Sequence, residues 1–397
     1  MTEPDIFSKL NLKHLKTPCF IVSKESIKNN LGILDSVAKK SNSKILLALK
    51  AFAMHSVFPL IKRHLSGVCA GSLYEARLGK EEFGKEVHTY SPSFKEEEFT
   101  EILECSDYMI FNSLSQFEKF KPAIKSAGKK VKVGLRVNPG KSVAGVLYSV
   151  YDPCAKNSGL GISAANLKGR DLKGITGLHF HALCEQGAEE LEEVMDAFTK
   201  KFDSFIRKMK WVNFGGGHHI TKKGYKIDKL IRLIRDFRKE YPDIKDVYLE
   251  PGEAVVLNSG FLVASVLDIL REERDIAVLD TSVETHFPDV LITRCEPAPF
   301  LQPILGAEPV KKGEKRRCSY ILRGVSCAAG DIFGEYCFKK SLKAGDKLIF
   351  TDAAHYTMVK VSSFCGVNLP SIALMKPGGT IEIIRKFGYK DYKTRLS

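Results

Sequence analysis

Residues 44–90, KILLALKAFAMHSVFPLIKRHLSGVCAGSLYEARLGKEEFGKEVHTY, hold three short apolar runs, at 45–49, 67–70 and 87–90, separated by segments of helical periodicity. That order is the signature of strand–helix units. Ser72, followed by Glu75 directly after the second run, fits a capping box and so gives the direction strand to helix. Ser113 followed by Gln116 repeats the device. The rhythm continues through runs at 108–111, 131–137, 175–180, 211–214 and 247–249. Eight such units predict a TIM-type (β/α)8 barrel. After Gly252 apolar strands follow one another without long helices, at 261–267, 276–279, 319–322, 347–351 and 381–384, so a second, mostly β domain of sandwich or barrel type is expected. Residues 17–22 also read as a strand and join that domain. The expected division is 24–253 for the barrel, and 1–23 with 254–397 for the β domain. Residues 138–163 form an irregular insertion rich in Gly, Ser and Asn.

A chain of 397 residues, 44% hydrophobic and 27% charged, has the material for two cores. No basic and apolar leader opens it, and the most apolar later stretch, 254–270, is interrupted by Asn258, Ser259, Gly260, Ser265 and Asp268, which argues against a membrane partner. The ten cysteines are scattered from Cys19 to Cys365 without a Cys-x-x-Cys pair, which predicts reduced thiols and a cytoplasmic location. The formal charge of +14 comes in short clusters such as Lys222-Lys223, Lys311-Lys312 and Arg316-Arg317, interleaved with acids. These read as solvated faces, and no nucleic-acid partner is expected.

Barrel active sites lie at the C-terminal ends of the strands, so the residue closing each run carries the functional information. Lys50 closes the first run, Arg136 lies in the fifth, His179 and His181 in the sixth, Gly215, Gly216 and Gly217 follow the seventh, and Glu250 follows the eighth. A lone lysine there could simply snorkel to the rim. Partly desolvated among basic neighbours, it suits imine formation with an aldehyde cofactor. The glycines permit close backbone approach and could cradle a phosphate with their N–H groups, or be only a flexible turn. His179 and His181 share one strand face. Without a third ligand at a recognisable spacing they predict no metal site; stacking on an aromatic ring or a core role are the competing readings. Glu250 could cap a turn, or hold a pyridine nitrogen protonated.

Together these motifs resemble the fold-type III, alanine-racemase-like decarboxylases that use pyridoxal 5'-phosphate, the group of ornithine and diaminopimelate decarboxylases. The resemblance runs from Thr17-Pro-Cys-Phe to Asp352-Ala-Ala-His-Tyr-Thr-Met. It implies that Lys50, in Ala48-Leu-Lys-Ala-Phe52, carries the cofactor, that His181 stacks on its ring, and that Cys184 stands where a serine contacts the phosphate. Gly215–Gly217 match the phosphate loop, Arg136 a ring-side arginine and Glu250 the pyridine-nitrogen partner. Gly324-Val-Ser-Cys-Ala-Ala-Gly-Asp331 resembles a segment that a partner subunit inserts into the site of a homodimer. Cys327 is then the acid that protonates the substrate carbon, Asp331 faces substrate, and Tyr356 lies near the phosphate.

Two departures set the expected substrate. Where ornithine and diaminopimelate decarboxylases have Glu-Pro-Gly-Arg, this chain has Glu250-Pro-Gly-Glu253, a carboxylate that repels phosphate and attracts an amine. Thr285-His-Phe-Pro-Asp-Val-Leu291 resembles the branch acting on carboxylated polyamine precursors, and Asp289 becomes a second reader of ammonium. For both acids the competing reading is a solvent-facing charge. Diaminopimelate or another basic amino acid is the alternative substrate, disfavoured because its second carboxylate calls for a cation. A racemase on the same barrel is disfavoured by Glu250, and a catalytically silent homologue by the presence of Lys50 and Cys327.

Overall fold

Strand β1 (Cys19–Ser23) is followed by eight strands that close into a parallel barrel: β2 (Lys44–Ala48), β3 (Gly67–Ala70), β4 (Glu86–Tyr90), β5 (Tyr108–Phe111), β6 (Lys132–Arg136), β7 (Gly177–His179), β8 (Trp211–Asn213) and β9 (Asp246–Leu249). This computed structural model describes residues 10, 12–145, 150–293, 301–311, 314 and 316–397. The chain divides into two compact units, Lys28–Val255 and Met1–Ile27 with Val256–Ser397. Residues 24–27 thus leave the barrel side expected for them, and Ala254 and Val255 join it.

The strands are short, and most of their residues are buried, as expected when both faces of a parallel sheet are covered. β9 closes on β2 with Lys44 opposite Tyr248 and Ile45 opposite Leu249. Trp211 fills the N-terminal half of the barrel interior, and Gly134 and Gly177 leave it room: a methyl at either position would overlap the indole. Outside, the helix Ala188–Ile206 buries Leu191, Val194, Met195, Phe198, Phe202 and Ile206, a stripe at helical spacing. Each such side chain contributes about 2 kcal/mol of burial. Both anticipated serines cap their helices. Ser72 accepts from the Glu75 N–H (3.4 Å) and Ser113 from the Gln116 N–H (3.3 Å). Neither box closes on its serine, because the Glu75 carboxylate accepts from the Gly71 N–H and the Gln116 amide donates to the Pro92 carbonyl.

The second unit is a nine-stranded mixed sheet in the order β12 (Ala307–Pro309), β14 (Ile332–Phe338), β13 (Ser319–Arg323), β11 (Ile276–Leu279), β10 (Gly260–Leu270), β1, β16 (Ser371–Met375), β17 (Ile381–Arg385), with β15 (Lys347–Phe350) also paired to β10. Alternation splits it cleanly. Phe20 and Leu262 join one apolar cluster, while Cys19, Ile21, Phe261 and Val263 join the other, as a period of two requires. Among the described residues no helix is long and apolar enough to cross a membrane.

Candidate active site

Glu250, the residue after β9, is buried at the C-terminal end of the barrel. The Asn213 side-chain amide donates to its Oε1 (2.7 Å), and His179 Nε2 lies 3.5 Å from its Oε2. Burial alone would raise this carboxyl; His179, His88 and Asn213 outweigh it and bring it down to about 2. The His179 imidazole is pushed the other way, below its usual value, by burial and then by the charges of Arg136 and Lys50. The pair at neutral pH is therefore a carboxylate beside a neutral imidazole.

Around it stand the other strand-end residues. His181 is held well below the ordinary histidine range by burial, then by the charges of Lys50 and Arg136. Its Nδ1 accepts the Gly216 N–H (3.2 Å), which places the proton of the neutral ring on Nε2. Arg136 is buried, donates to the His181 carbonyl (3.3 Å) and sits 4.6 Å above the Tyr90 ring. Lys50 is exposed, more open than the partial desolvation expected of it. Its charge nonetheless acts on His179, His181, Cys69, Glu75 and Cys184 together, which places it centrally in the ring.

The glycine turn is a close-approach device. Gly215 (φ 70°) and Gly217 (φ 81°) occupy the left-handed region, and side chains there would strike the backbone of Phe180 and Leu183. Two of its amides are already committed, Gly215 N–H to Asn213 Oδ1 (2.8 Å) and Gly216 N–H to His181, so the turn is less open as a phosphate cradle than its three glycines suggest. Next to it, burial followed by the charges of Glu253 and Glu185 pushes the Cys184 thiol up to about 12. That thiol is a proton-bearing donor at neutral pH.

Glu253 is only 8% exposed, so its solvent-facing reading is corrected. It lies in the helix Gly252–Val256, which packs so tightly on β2 that a side chain at Gly252 would come within 2.6 Å of Ala51 and 2.7 Å of Ala48. His219 Nε2 is 3.9 Å from its carboxylate. Donor atoms of Glu185, His219 and Glu253 fall within 4.8 Å of one another, as do those of His179, His181 and Glu250. The argument that the two histidines lack a third ligand is thus corrected: Glu250, distant in sequence, supplies one in space. Asn213, His218 and His219 were missed by sequence reasoning. Asn213 carried a signal, an amide ending an otherwise apolar run; His218, brought down to about 4 by burial, carried none.

The remaining sequence-predicted residues belong to the β unit. Cys327 is exposed, with its Sγ 3.1 Å from Cys365 Sγ. The neighbouring Cys365 thiol raises its pKa. Asp289 forms an ion pair with Lys360 Nζ (2.6 Å), which sits 5.0 Å over the Tyr356 ring, so its charge is met within the unit. Asp331 does not face substrate. It is 0% exposed, and its two oxygens accept the Val283 N–H (2.7 Å) and the Ser326 N–H (2.9 Å), which makes it a brace for the loop 324–331.

A barrel with a lysine, an ionised buried glutamate and a glycine turn following the C-terminal ends of three of its strands defines a class, and the chain belongs to the pyridoxal-dependent decarboxylases: the family model described as "Pyridoxal-dependent decarboxylase, C-terminal sheet domain" matches residues 20–354. It is 45% identical, over 96% of its length and 98% of the relative's, to a carboxynorspermidine/carboxyspermidine decarboxylase of Campylobacter jejuni. A carboxyaminopropylagmatine decarboxylase of Synechocystis is 38% identical over 99% of this chain and 98% of its own. The crystal structure of carboxynorspermidine decarboxylase from Campylobacter jejuni, complexed with norspermidine, superposes with a TM-score of 0.87 at 44% identity, covering 96% of this chain and 100% of that one. The enzyme is accordingly a decarboxylase that uses pyridoxal phosphate. The residues fit that cofactor: the site offers an exposed amine, a carboxylate that stays ionised while buried, a neutral flat imidazole and a protonated thiol beside a glycine turn.

Proposed function

We propose that this enzyme decarboxylates carboxynorspermidine or carboxyspermidine to norspermidine or spermidine, a step of polyamine biosynthesis, with Lys50 carrying the cofactor. Bound pyridoxal phosphate supplies the electron sink for the pair left behind by carbon dioxide. Glu250 would hold a proton on the cofactor's ring nitrogen, a task for which a carboxylate at about 2 is suited. His181, with its neutral imidazole, and Arg136 would hold the cofactor's ring. The Cys184 thiol and the glycine turn 215–217 would hold the phosphate. Cys327 Sγ returns a proton to the substrate carbon, and its raised pKa keeps that proton in place at neutral pH. Cys327 acts in the partner's site of a homodimer with shared active sites. Its exposure, two residues from the exposed Val325 and with its sulfur beside Cys365, the neighbour of the exposed Phe364, supports that reading. The scattered cysteines support a cytoplasmic location.

The observation that carries the substrate reading is Glu253, a carboxylate buried at the barrel end where ornithine and diaminopimelate decarboxylases carry an arginine. A nearly buried acid binds an ammonium group far better than an exposed one. Asp289 is the second reader, and substrate must compete for it with Lys360. Carboxyaminopropylagmatine is a second reading, favoured by the Synechocystis relative and by the suitability of the same two acids for a guanidinium. The test offers both carboxylated polyamines, carboxyaminopropylagmatine, diaminopimelate, ornithine and arginine separately and measures released carbon dioxide. The carboxylated polyamines should turn over with the highest kcat/KM, and Glu253→Gln should raise their KM. Diaminopimelate or ornithine turning over best would overturn the reading.

A further inference from the structure

Cys327 and Cys365 stand 38 positions apart in sequence, are both exposed, and bring their sulfurs to 3.1 Å. We propose that this pair is a reversible oxidation site at which hydrogen peroxide closes a Cys327–Cys365 disulfide and withdraws the Cys327 thiol from the reaction. The sulfurs need approach by only about 1 Å more to reach a disulfide bond length. Cys365 lies in the short turn Phe364–Gly366, whose three residues are all exposed, at φ 54° and next to Gly366 at φ 70°. The other seven described free cysteines have no thiol this close among the hydrogen-bonded groups of the described residues, so proximity singles out this pair.

The chemistry balances with peroxide as the named oxidant. One sulfur, as thiolate, attacks a peroxide oxygen; the O–O bond breaks, hydroxide leaves and takes up a proton to become water, and a sulfenic acid forms. The second sulfur, as thiolate, attacks the first; the S–O bond breaks, a second water leaves and the S–S bond forms. Two thiols give up two electrons and two protons, and one peroxide becomes two waters. Since Cys327 keeps its proton at neutral pH, the first step is slow, and the second is fast because the partner sulfur is already beside it. A passage that admits a polyamine also admits peroxide.

The consequence for activity rests on the assignment of Cys327 as the proton donor; the pairing itself does not. The experiment treats the cofactor-loaded enzyme with graded hydrogen peroxide, maps disulfide-linked peptides by mass spectrometry and assays decarboxylation before and after dithiothreitol. The expected result is a 327–365 linked peptide that accumulates in step with loss of activity, down to the level of Cys327→Ala, with both reversed by the reductant. Cys365→Ser should keep basal activity, form no such peptide and lose the dithiothreitol-reversible inactivation. Absence of the linked peptide at peroxide levels that oxidise other exposed thiols would overturn the proposal, as would the same reversible inactivation in Cys365→Ser. A linked peptide with full activity would support the pairing and overturn the role of Cys327.

Discussion

At the N-terminal end of the barrel strands His88 Nε2 lies 3.5 Å from a Glu86 oxygen; at the C-terminal end His179 Nε2 lies 3.5 Å from a Glu250 oxygen. In both, burial works against the carboxylate and the neighbours win, bringing Glu86 and Glu250 alike to about 2, while both imidazoles are pushed down by burial. The ends differ in what surrounds the pair. Around Glu86 the polar groups close on one another: Lys44 Nζ reaches Glu86 (3.2 Å), Asp246 (3.1 Å) and the Tyr248 hydroxyl (3.2 Å); Tyr248 donates to Glu86 (3.0 Å); the Tyr108 and Tyr248 hydroxyls are 2.7 Å apart; and Lys132 donates to Tyr108 (2.6 Å). His88 stacks on Tyr108 at 3.8 Å. Around Glu250 the surroundings include an exposed lysine, a glycine turn and a second buried acid. A perturbed carboxyl therefore reports burial and partners at both ends. What separates a site from a structural plug is whether the ring of groups is closed by the protein itself.

The largest effect should separate the two glutamates by activity. Glu250→Gln should lower kcat/KM by about a hundred-fold or more while the protein stays folded, whereas Glu86→Gln should leave it close to wild type. Similar losses from both, with circular dichroism unchanged, would break the comparison. Stability should reverse the order, because Glu86→Gln leaves Lys44 short of a partner. Its cost is about 1–3 kcal/mol, and calorimetry should show a lower Tm than for wild type.

Acid sensitivity sharpens the picture. His218 and His286 stand at about 4 through burial, so they are neutral in the fold, while the unfolded chain binds protons below about pH 6.5. Their contribution is complete above that pH and is lost as pH falls toward 4, by roughly 3 kcal/mol each at the limit. Glu86 and Glu250, ionised in the fold down to about 2, add a second loss as pH falls from about 4.5 toward 2. Urea midpoints measured from pH 7 to 4 should fall steadily, and His218→Gln should flatten the decline; a midpoint independent of pH over that range would contradict buried neutral histidines. The smallest effect belongs to Tyr108→Phe, which removes one hydroxyl from the closed network. It should cost about 1 kcal/mol, a few degrees of Tm, with kcat unchanged.

The sequence shows the barrel clearly because eight apolar runs alternate with helical segments, and five of those runs contain or lead into residues that suit a site better than a core, from Lys50 to Glu250. It shows the site only in part, since spacing along a strand says which face a residue takes and not which residue from another strand meets it. Glu250 as a third donor beside His179 and His181, and Asn213 bridging Glu250 to the glycine turn, are facts of that kind. The plug around Glu86 was invisible for the same reason: Lys44, Glu86 and Tyr248 read as ordinary strand residues until the barrel closes. Asp331 was misjudged because an acid following a Gly-rich loop looks the same in sequence whether it faces outward or accepts the loop's own amides. β14 escaped notice because Gly334 and Glu335 interrupt its apolar residues.

The central claim is that Lys50 carries the cofactor. Reduction of the enzyme with borohydride in the presence of pyridoxal phosphate, followed by peptide mass mapping, tests it directly. A pyridoxyl group on the peptide containing Lys50, absent after Lys50→Ala together with catalytic activity, is the predicted result. A pyridoxyl group on a different lysine in wild type, or wild-type turnover by Lys50→Ala, would contradict the account.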